Sequence, residues 1–119
     1  MIVTAPTEPS LKEARFFAER LKKESIPLGG LVVNRAHAVW GIHGLENPIA
    51  VADRVGPGIL ADALRTYASW RAVSLREERL LAGTLGAIDK TPVWRVPDLA
   101  DDVCDLKSLR EVGALLAAG

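Results

Sequence analysis

Two short apolar runs, Leu31-Val32-Val33-Asn34-Arg35 and Val93-Trp94-Arg95-Val96-Pro97-Asp98, decide the fold class of this chain. Each run stops at a polar residue or a proline and is followed by a loop, which is typical of strands in a parallel α/β sheet. Ligands of such sheets bind just beyond the carboxyl ends of the strands. Asn34 offers a carboxamide there, which can both donate to and accept from the edge of a purine. No Gly-x-x-x-x-Gly-Lys-Ser/Thr motif occurs, so the sequence predicts a base-binding end without a phosphate-binding end.

The first half of the chain has the pattern of a strand, a helix and a second strand. Ile2-Val3-Thr4 is a short β-branched run, and Leu31-Val32-Val33 is the next one. Thr7 or Ser10 can cap the helix between them. Its apolar residues recur at helical spacing, namely Leu11, Ala14, Phe17, Ala18 and Leu21. The two strands therefore form a βαβ unit, in which they are parallel and joined by a right-handed crossover.

The second half begins with a break in this pattern. Glycine, proline and histidine interrupt residues 35–58, which predicts a long irregular loop with a functional or mobile role. Ile59 to about Leu85 then has the pattern of one long helix, followed by a strand at Val93–Val96 and a final amphipathic helix at 106–117 capped by Asp105. The order β-α-β-loop-α-β-α predicts an α/β fold, a three-layer parallel sheet of about three strands with flanking helices.

Composition limits the kind of protein further. Fifteen basic and fifteen acidic residues give a formal net charge of zero, which argues against nucleic acid or an anionic membrane as a partner. The single cysteine, Cys104, excludes an internal disulfide and suits a reducing compartment. There is neither a signal-peptide pattern nor an apolar run of about 18 residues that would span a bilayer. We therefore expect one cytoplasmic domain, or part of one, over residues 1–119.

Four motifs, taken in order, resemble the C-terminal part of the arsenical pump-driving ATPase family, which includes anion-transporting ATPases and the tail-anchored-protein targeting ATPases. They are Val3-Thr4-Ala5-Pro6-Thr7-Glu8-Pro9, Glu13-Ala14-Arg15-Phe16-Phe17, Pro27-Leu28-Gly29-Gly30-Leu31-Val32-Val33-Asn34-Arg35 and Val96-Pro97-Asp98-Leu99. The similarity covers nearly the whole chain and is weakest over residues 36–55. It implies the C-terminal portion of a P-loop NTPase-like fold of the deviant-Walker type.

The resemblance also implies a set of site residues. In that family the asparagine that ends the "VVNR" strand contacts adenine, which corresponds to Asn34. Arg35, the next residue of this motif, is included in the predicted nucleotide-binding set, although it is better explained as a surface or salt-bridging residue than as a catalytic one. The loop after the last strand surrounds the base, which corresponds to Pro97, Asp98 and Leu99. The implied ligand is ATP, with Mg²⁺ held by the other half of the protein.

The chain departs from the family in what it does not contain. The P-loop, the switch regions and the catalytic aspartates belong to the N-terminal half of such proteins, so this chain alone is predicted to be inactive. The Cys-x-x-Cys zinc clasp and the arsenite-binding cysteines have no counterpart either. The chain therefore resembles a fragment or a separately encoded half. Its expected partners are the N-terminal half or a homologous ATPase subunit in a homo- or hetero-oligomer, together with a membrane-protein client or transporter.

Several of these residues have a second interpretation. Asn34 could cap the loop that follows its strand, and Pro97 could simply end a strand. A metal site formed by His37, His43 and Cys104 is conceivable but lacks any spacing signature.

The acidic loop and the aromatic residues carry alternatives of the same kind. Four acidic residues could hold Mg²⁺, although solvated loop charges and a helix cap explain them better, namely Asp98, Asp101, Asp102 and Asp105. Trp40, Tyr67 and Trp70 are interpreted as packing residues, whereas Trp40, if exposed, would mark an interaction patch. The competing function is a stand-alone, non-catalytic interaction or regulatory module with the same fold. No nucleophile, base and orienting acid can be placed together, which argues against an independent hydrolase.

Overall fold

The structure is a computed structural model that describes residues 1–37, 45–88 and 90–118. Its elements in chain order are β1 (Ile2–Thr4), α1 (Glu8–Lys23), β2 (Leu31–Ala36), α2 (Pro48–Val55), α3 (Ile59–Leu85), β3 (Val93–Pro97) and α4 (Leu106–Ala118). The strands form one parallel sheet in the order β1-β2-β3. The predicted α/β arrangement with three parallel strands is therefore confirmed.

One face of the sheet carries the main core of the protein. Ile2, Leu31 and Val33 lie on this face, because β1 and β2 pair in register and side chains alternate along a strand. They pack against apolar residues of α1, of α3 and of the turn after α3, namely Leu11, Ala14, Leu81 and Ile88. Burying a side chain such as Leu31 completely contributes about 1.5–3 kcal/mol, so these contacts fix the sheet on α1 and on the end of α3.

Helix α1 begins where the sequence indicates, but its cap differs from the expected one. Thr7 occupies the N-cap position, and its hydroxyl bonds Ser10 Oγ at 3.0 Å instead of a backbone N–H. Phe17 is exposed, although the apolar spacing placed it on the buried face. The buried residues of α1 are Leu11 and Ala14. Phe17 comes three positions after the small residue Ala14 and lies outside this buried stripe.

The prediction of one irregular stretch over residues 35–58 is wrong at its start, where Arg35 and Ala36 belong to β2, and in its second half. Pro48–Val55 form α2, whose first turn is capped by Asn47 through a 3.1 Å bond from Ala50 N to Asn47 Oδ1. Asparagine followed by proline is a favourable start for a helix, since the amide accepts from the first turn and proline has no N–H to leave unpaired. Residues 38–44 lie outside the described part of the chain.

Helix α3 has the bounds that the sequence predicts, Ile59–Leu85. Its length would suffice for a bilayer, but charged residues such as Arg71, Arg76 and Glu77 interrupt its apolar positions. Across residues 1–37, 45–88 and 90–118, no helix is both long and apolar enough to cross a membrane.

The chain divides into two compact units. The first consists of Met1–His37 and Glu77–Gly119 and contains the sheet, and the second is Ala38–Arg76. Within the second unit, Arg65 of α3 pairs with Asp53 of α2 at 3.0 Å. Arg71 donates to the carbonyl of Glu46 at 2.8 Å, so α3 holds both α2 and the segment that leads into it.

Candidate functional site

The carboxyl end of β2 is irregular, and this irregularity shapes the candidate site. Val33 pairs with Arg95 and Ala36 pairs with Pro97, so Asn34 and Arg35 together oppose a single residue of β3. This is the geometry of a β-bulge, which re-aims side chains at a strand end. Arg35 has φ of 57°, in the left-handed region that a residue with a side chain rarely adopts.

The side chain of Asn34 in the bulge is exposed to solvent, and a local hydrogen bond fixes its amide. Asn34 Oδ1 accepts a hydrogen bond from the backbone N–H of Arg35 at 3.0 Å, and the side chain is exposed. A carboxamide has two acceptor lone pairs and two donor hydrogens, so this bond leaves one lone pair and both hydrogens for a ligand. The local bond is the loop-capping interaction considered above, and it is compatible with base binding.

The loop that follows β3 lies at the same end of the sheet. The backbone N–H of Asp98 donates to the carbonyl of Ala36 at 3.3 Å, which ties the loop to the residue that closes the bulge. Pro97 and Leu99 are half-buried, and Asp98 is exposed. The structure therefore brings this loop to the end of β2, as expected for parallel strands.

A groove of about 870 Å³ lies beside β1 and takes in only part of the predicted site. Asn34 and Arg35 line it together with Val3 of β1 and with Phe16 and Phe17 of α1. The loop residues 97–99 are not part of its lining. Sequence reasoning did not assign the two phenylalanines to the site. Successive residues of a helix point about 100° apart, so two adjacent phenylalanines are a sign that at least one lies away from the centre of the core-facing side.

Glu77 of α3 is a second residue that sequence reasoning missed. Its Oε2 accepts from the backbone N–H of His37 at 2.9 Å, and its Oε1 lies 2.7 Å from His37 Nδ1. A carboxylate only accepts, so this contact is a hydrogen bond in the tautomer whose Nδ1 carries the proton. The Glu77 side chain is only 12% exposed, although charged neighbours in the sequence of α3 would favour a solvated position. His37 and Glu77 are forty positions apart, and no local sequence pattern indicates such a contact.

The proposed alternatives for metal binding receive no support from the described residues. His37 Nδ1 is occupied by Glu77, and His43 lies outside the described part. Over residues 1–37, 45–88 and 90–118 no group of three histidine, cysteine or acidic side chains is arranged to hold a metal. Cys104 is exposed as a free thiol.

Asp105 caps α4, as the sequence predicts. Its Oδ1 accepts from the backbone N–H of Ser108 at 2.7 Å and from the Ser108 hydroxyl at 2.6 Å. Ser108 Oγ in turn lies 3.3 Å from the backbone N–H of Asp105, which completes a reciprocal capping box. The hydroxyl bond, followed by the backbone bond, holds the pKa of Asp105 below its ordinary value.

The aromatic residues of α3 do not all pack as predicted. Trp70 is 64% exposed, whereas Tyr67 is half-buried. Ile59 and Val73 are also exposed, and they share one face of the helix with Trp70 because they are eleven and three positions away from it. The prediction that Trp70 is a packing residue is therefore wrong. Trp40 lies outside the described residues.

These features define an α/β protein with an exposed asparagine at the carboxyl end of a parallel strand. Comparison with models of known protein families gave no match, and comparison with curated proteins gave none. The likeness to the arsenical pump-driving ATPases therefore depends on the four sequence motifs.

Proposed function

We propose that this chain is the C-terminal portion of an arsenical-pump-like, anion-transporting ATPase and supplies the adenine-binding side of its ATP site. The observation that carries the proposal is the exposed carboxamide of Asn34, held on a bulge at the carboxyl end of β2. Ligands of parallel α/β sheets bind at this end of the strands. The finer assignment, to a P-loop NTPase-like fold, is supported by the motif order and belongs to the same proposal.

The base would be bound by neutral groups alone. The free lone pair and the amide hydrogens of Asn34 match the acceptor and donor pair on an adenine edge. Pro97 and Leu99 offer apolar contact at the same end of the sheet, and Arg35 and Asp98 lie at its exposed rim. A neutral hydrogen bond contributes about 0.5–1.5 kcal/mol net, so two or three of them give at best an affinity on the order of millimolar.

The residues present do not fit the rest of ATP. The sequence contains no glycine-rich phosphate loop with its lysine and its metal-binding serine or threonine. We infer that a second polypeptide segment supplies these groups and Mg²⁺, either as the N-terminal half or as a homologous ATPase subunit in a homo- or hetero-oligomer. A cytoplasmic location and a membrane-protein client or transporter follow from the resemblance and form part of the proposal.

Titration with adenosine, followed by amide NMR, tests the base site. We expect shifts of the Arg35 and Ala36 signals in the wild-type chain and their loss in Asn34→Asp, because a carboxylate cannot donate to the base. Asn47→Asp is the matched control, since aspartate caps a helix as well as asparagine does and α2 should stay intact. Equal titrations of the wild type and Asn34→Asp would refute the assignment of Asn34.

A stand-alone interaction module remains the second candidate, because one observation favours it. Ile59, Trp70 and Val73 form an exposed apolar face on α3, and clustered exposed apolar residues mark binding surfaces. The reading frame upstream of this chain discriminates between the two candidates. A Gly-Lys-Gly-Gly-x-Gly-Lys-Ser/Thr sequence there would favour the ATPase, and its absence the module.

A further inference from the structure

Glu77 makes a two-pronged polar contact near the candidate base site. Both of its carboxylate oxygens bind His37, one the backbone N–H at 2.9 Å and the other the ring Nδ1 at 2.7 Å. His37 directly follows β2 and lies three positions after Asn34. A charged acceptor makes stronger hydrogen bonds than a neutral one, so Glu77 holds the chain firmly where β2 ends.

The segment that Glu77 holds is one that needs support. A residue in the left-handed region costs about 1–3 kcal/mol and persists only when its surroundings enforce it, which applies to Arg35. The pairing with β3 lapses between Val33 and Ala36, and the bond from Asp98 to Ala36 is long at 3.3 Å. The bonds of Glu77 to His37, at 2.9 and 2.7 Å, are shorter than that bond and have a charged acceptor, so we expect them to hold the far side of the bulge more strongly.

We propose that Glu77 is a positioning residue for the adenine contact of Asn34 and acts through His37 without touching the base. The inference rests on the proposed function for its ligand, and on the Glu77–His37 contact for its mechanism. The contact restrains the chain at His37, two residues beyond Arg35. Without that restraint, Arg35 can leave the left-handed region, and Asn34 then loses both the bond from Arg35 N–H and its exposed orientation.

The neighbouring residue on α3 offers a matched control. Glu78 binds the guanidinium of Arg95 on β3, with Arg95 Nη2 at 3.1 Å from Glu78 Oε2. Consecutive glutamates thus hold two neighbouring strands, and Glu78→Gln removes the same charge from the same helix without affecting His37. Glu77→Ala removes both acceptors, whereas Glu77→Gln keeps one oxygen for the backbone N–H of His37.

The experiment measures adenosine affinity together with the NMR signals of the Asn34 side-chain amide and the Arg35 backbone amide. For Glu77→Ala we expect about a tenfold loss of affinity, the size of effect that one charge-assisted bond gives. Glu77→Gln should regain part of it, and Glu78→Gln should bind as the wild type does. The Asn34 and Arg35 signals should shift in Glu77→Ala and Arg35 should exchange faster with solvent, while the denaturation midpoints of Glu77→Gln and Glu78→Gln remain similar.

The two readouts separate the inference from the proposed function. Unchanged Asn34 and Arg35 signals in both Glu77 variants would overturn the inference whatever adenosine does, as would wild-type affinity in Glu77→Ala. A wild-type chain that does not bind adenosine, combined with the expected shifts in the variants, would overturn the proposed function. In that case the positioning of Asn34 by Glu77 would stand without the ligand assigned to it.

Discussion

The indole ring of Trp94 on β3 lies directly over Gly30, leaving no room for a side chain at that position. Gly30 precedes β2 and is itself buried, so the ring covers the start of the central strand. Trp94 pairs with Val32 in the sheet register, which puts both side chains on the face opposite to the main core. This contact fixes the start of β2 against β3.

Gly30→Ala should therefore destabilise the protein. A methyl group would overlap the ring of Trp94, and overpacking of this kind typically costs about 1–3 kcal/mol. Chemical denaturation followed by tryptophan fluorescence measures the change. Gly29→Ala is the control, because no atom lies within 4 Å of a Cβ built there, and its stability should equal or slightly exceed that of the wild type. Similar losses in both variants would contradict the role of the Gly30–Trp94 contact.

The cap of α4 should depend on pH in a defined direction. Hydrogen bonds from Ser108 lower the pKa of Asp105, so the folded protein keeps this carboxylate ionised to lower pH than the unfolded chain does. Its stabilising contribution is complete above the ordinary aspartate pKa of about 3.9 and is lost as pH falls through the lower folded value. The Ser108 amide signal, followed through an acid titration, reports the loss.

Asp105→Asn separates this cap from other acid-sensitive groups. Asparagine is a comparable cap but does not ionise, so α4 should form while the Ser108 signal no longer titrates. An unchanged titration in Asp105→Asn would assign the pH dependence to another carboxylate.

The isolated chain should not hydrolyse ATP. The phosphate loop and its metal-binding residue supply most of the transition-state stabilisation in such enzymes, and the sequence contains neither. Steady-state phosphate release should equal that of a buffer blank. Turnover above the blank that disappears in Asn34→Ala would contradict this prediction, because it would locate catalysis in this chain.

Adenosine and ATP should bind with similar, weak affinity. Charge-assisted contacts to phosphate are about twice as strong as neutral ones, and without a phosphate loop only the base is recognised. Parallel NMR titrations with the two ligands measure the ratio of their dissociation constants. Micromolar binding of ATP that adenosine does not compete with would contradict this expectation, because it would show that the chain has a phosphate site of its own.

The outer edge of β1 should promote self-association. Ile2 N–H donates to Gly30, so the backbone groups of Val3 point away from β2, and the Val3 side chain is 65% exposed. Open edges of this kind pair with other chains. Light scattering at several concentrations should give a mass that rises with concentration, and Val3→Lys should lower it, because a charge at a sheet edge opposes pairing. A constant monomer mass for the wild type would contradict this expectation.

Much of this fold could be predicted from local sequence, because the spacing of apolar residues and the residues that end a helix or strand are recognisable within a few positions. The three strands and α3 follow from β-branched runs and helical spacing, and Asp105 from its place before an amphipathic helix. Helix α2 was missed because glycine and proline on both sides hide a segment of only two turns, although Asn47-Pro48 is a helix start.

The candidate site was harder to predict from the sequence, because it depends on contacts between residues that are far apart in the chain. Asn34 could be named from its strand end, but the left-handed conformation belongs to Arg35, a residue type that gives no sign of it. The Glu77–His37 contact depends on how α3 packs, which no short window of sequence records. The end of β2 is thus built by distant parts of the chain.

The bond between Glu77 and His37 also joins the two points at which the chain leaves and rejoins the unit that contains the sheet. Residues 38–76 therefore form an insertion in the topological sense, with both of its ends at one place. The entropic cost of closing a loop grows only slowly with its length, so a change of length ahead of α3 should cost the sheet little, whereas α3 crosses the second junction as one continuous helix. Related proteins built on this scaffold should therefore differ in length ahead of α3, while the phase of α3 and the register of β1, β2 and β3 stay the same.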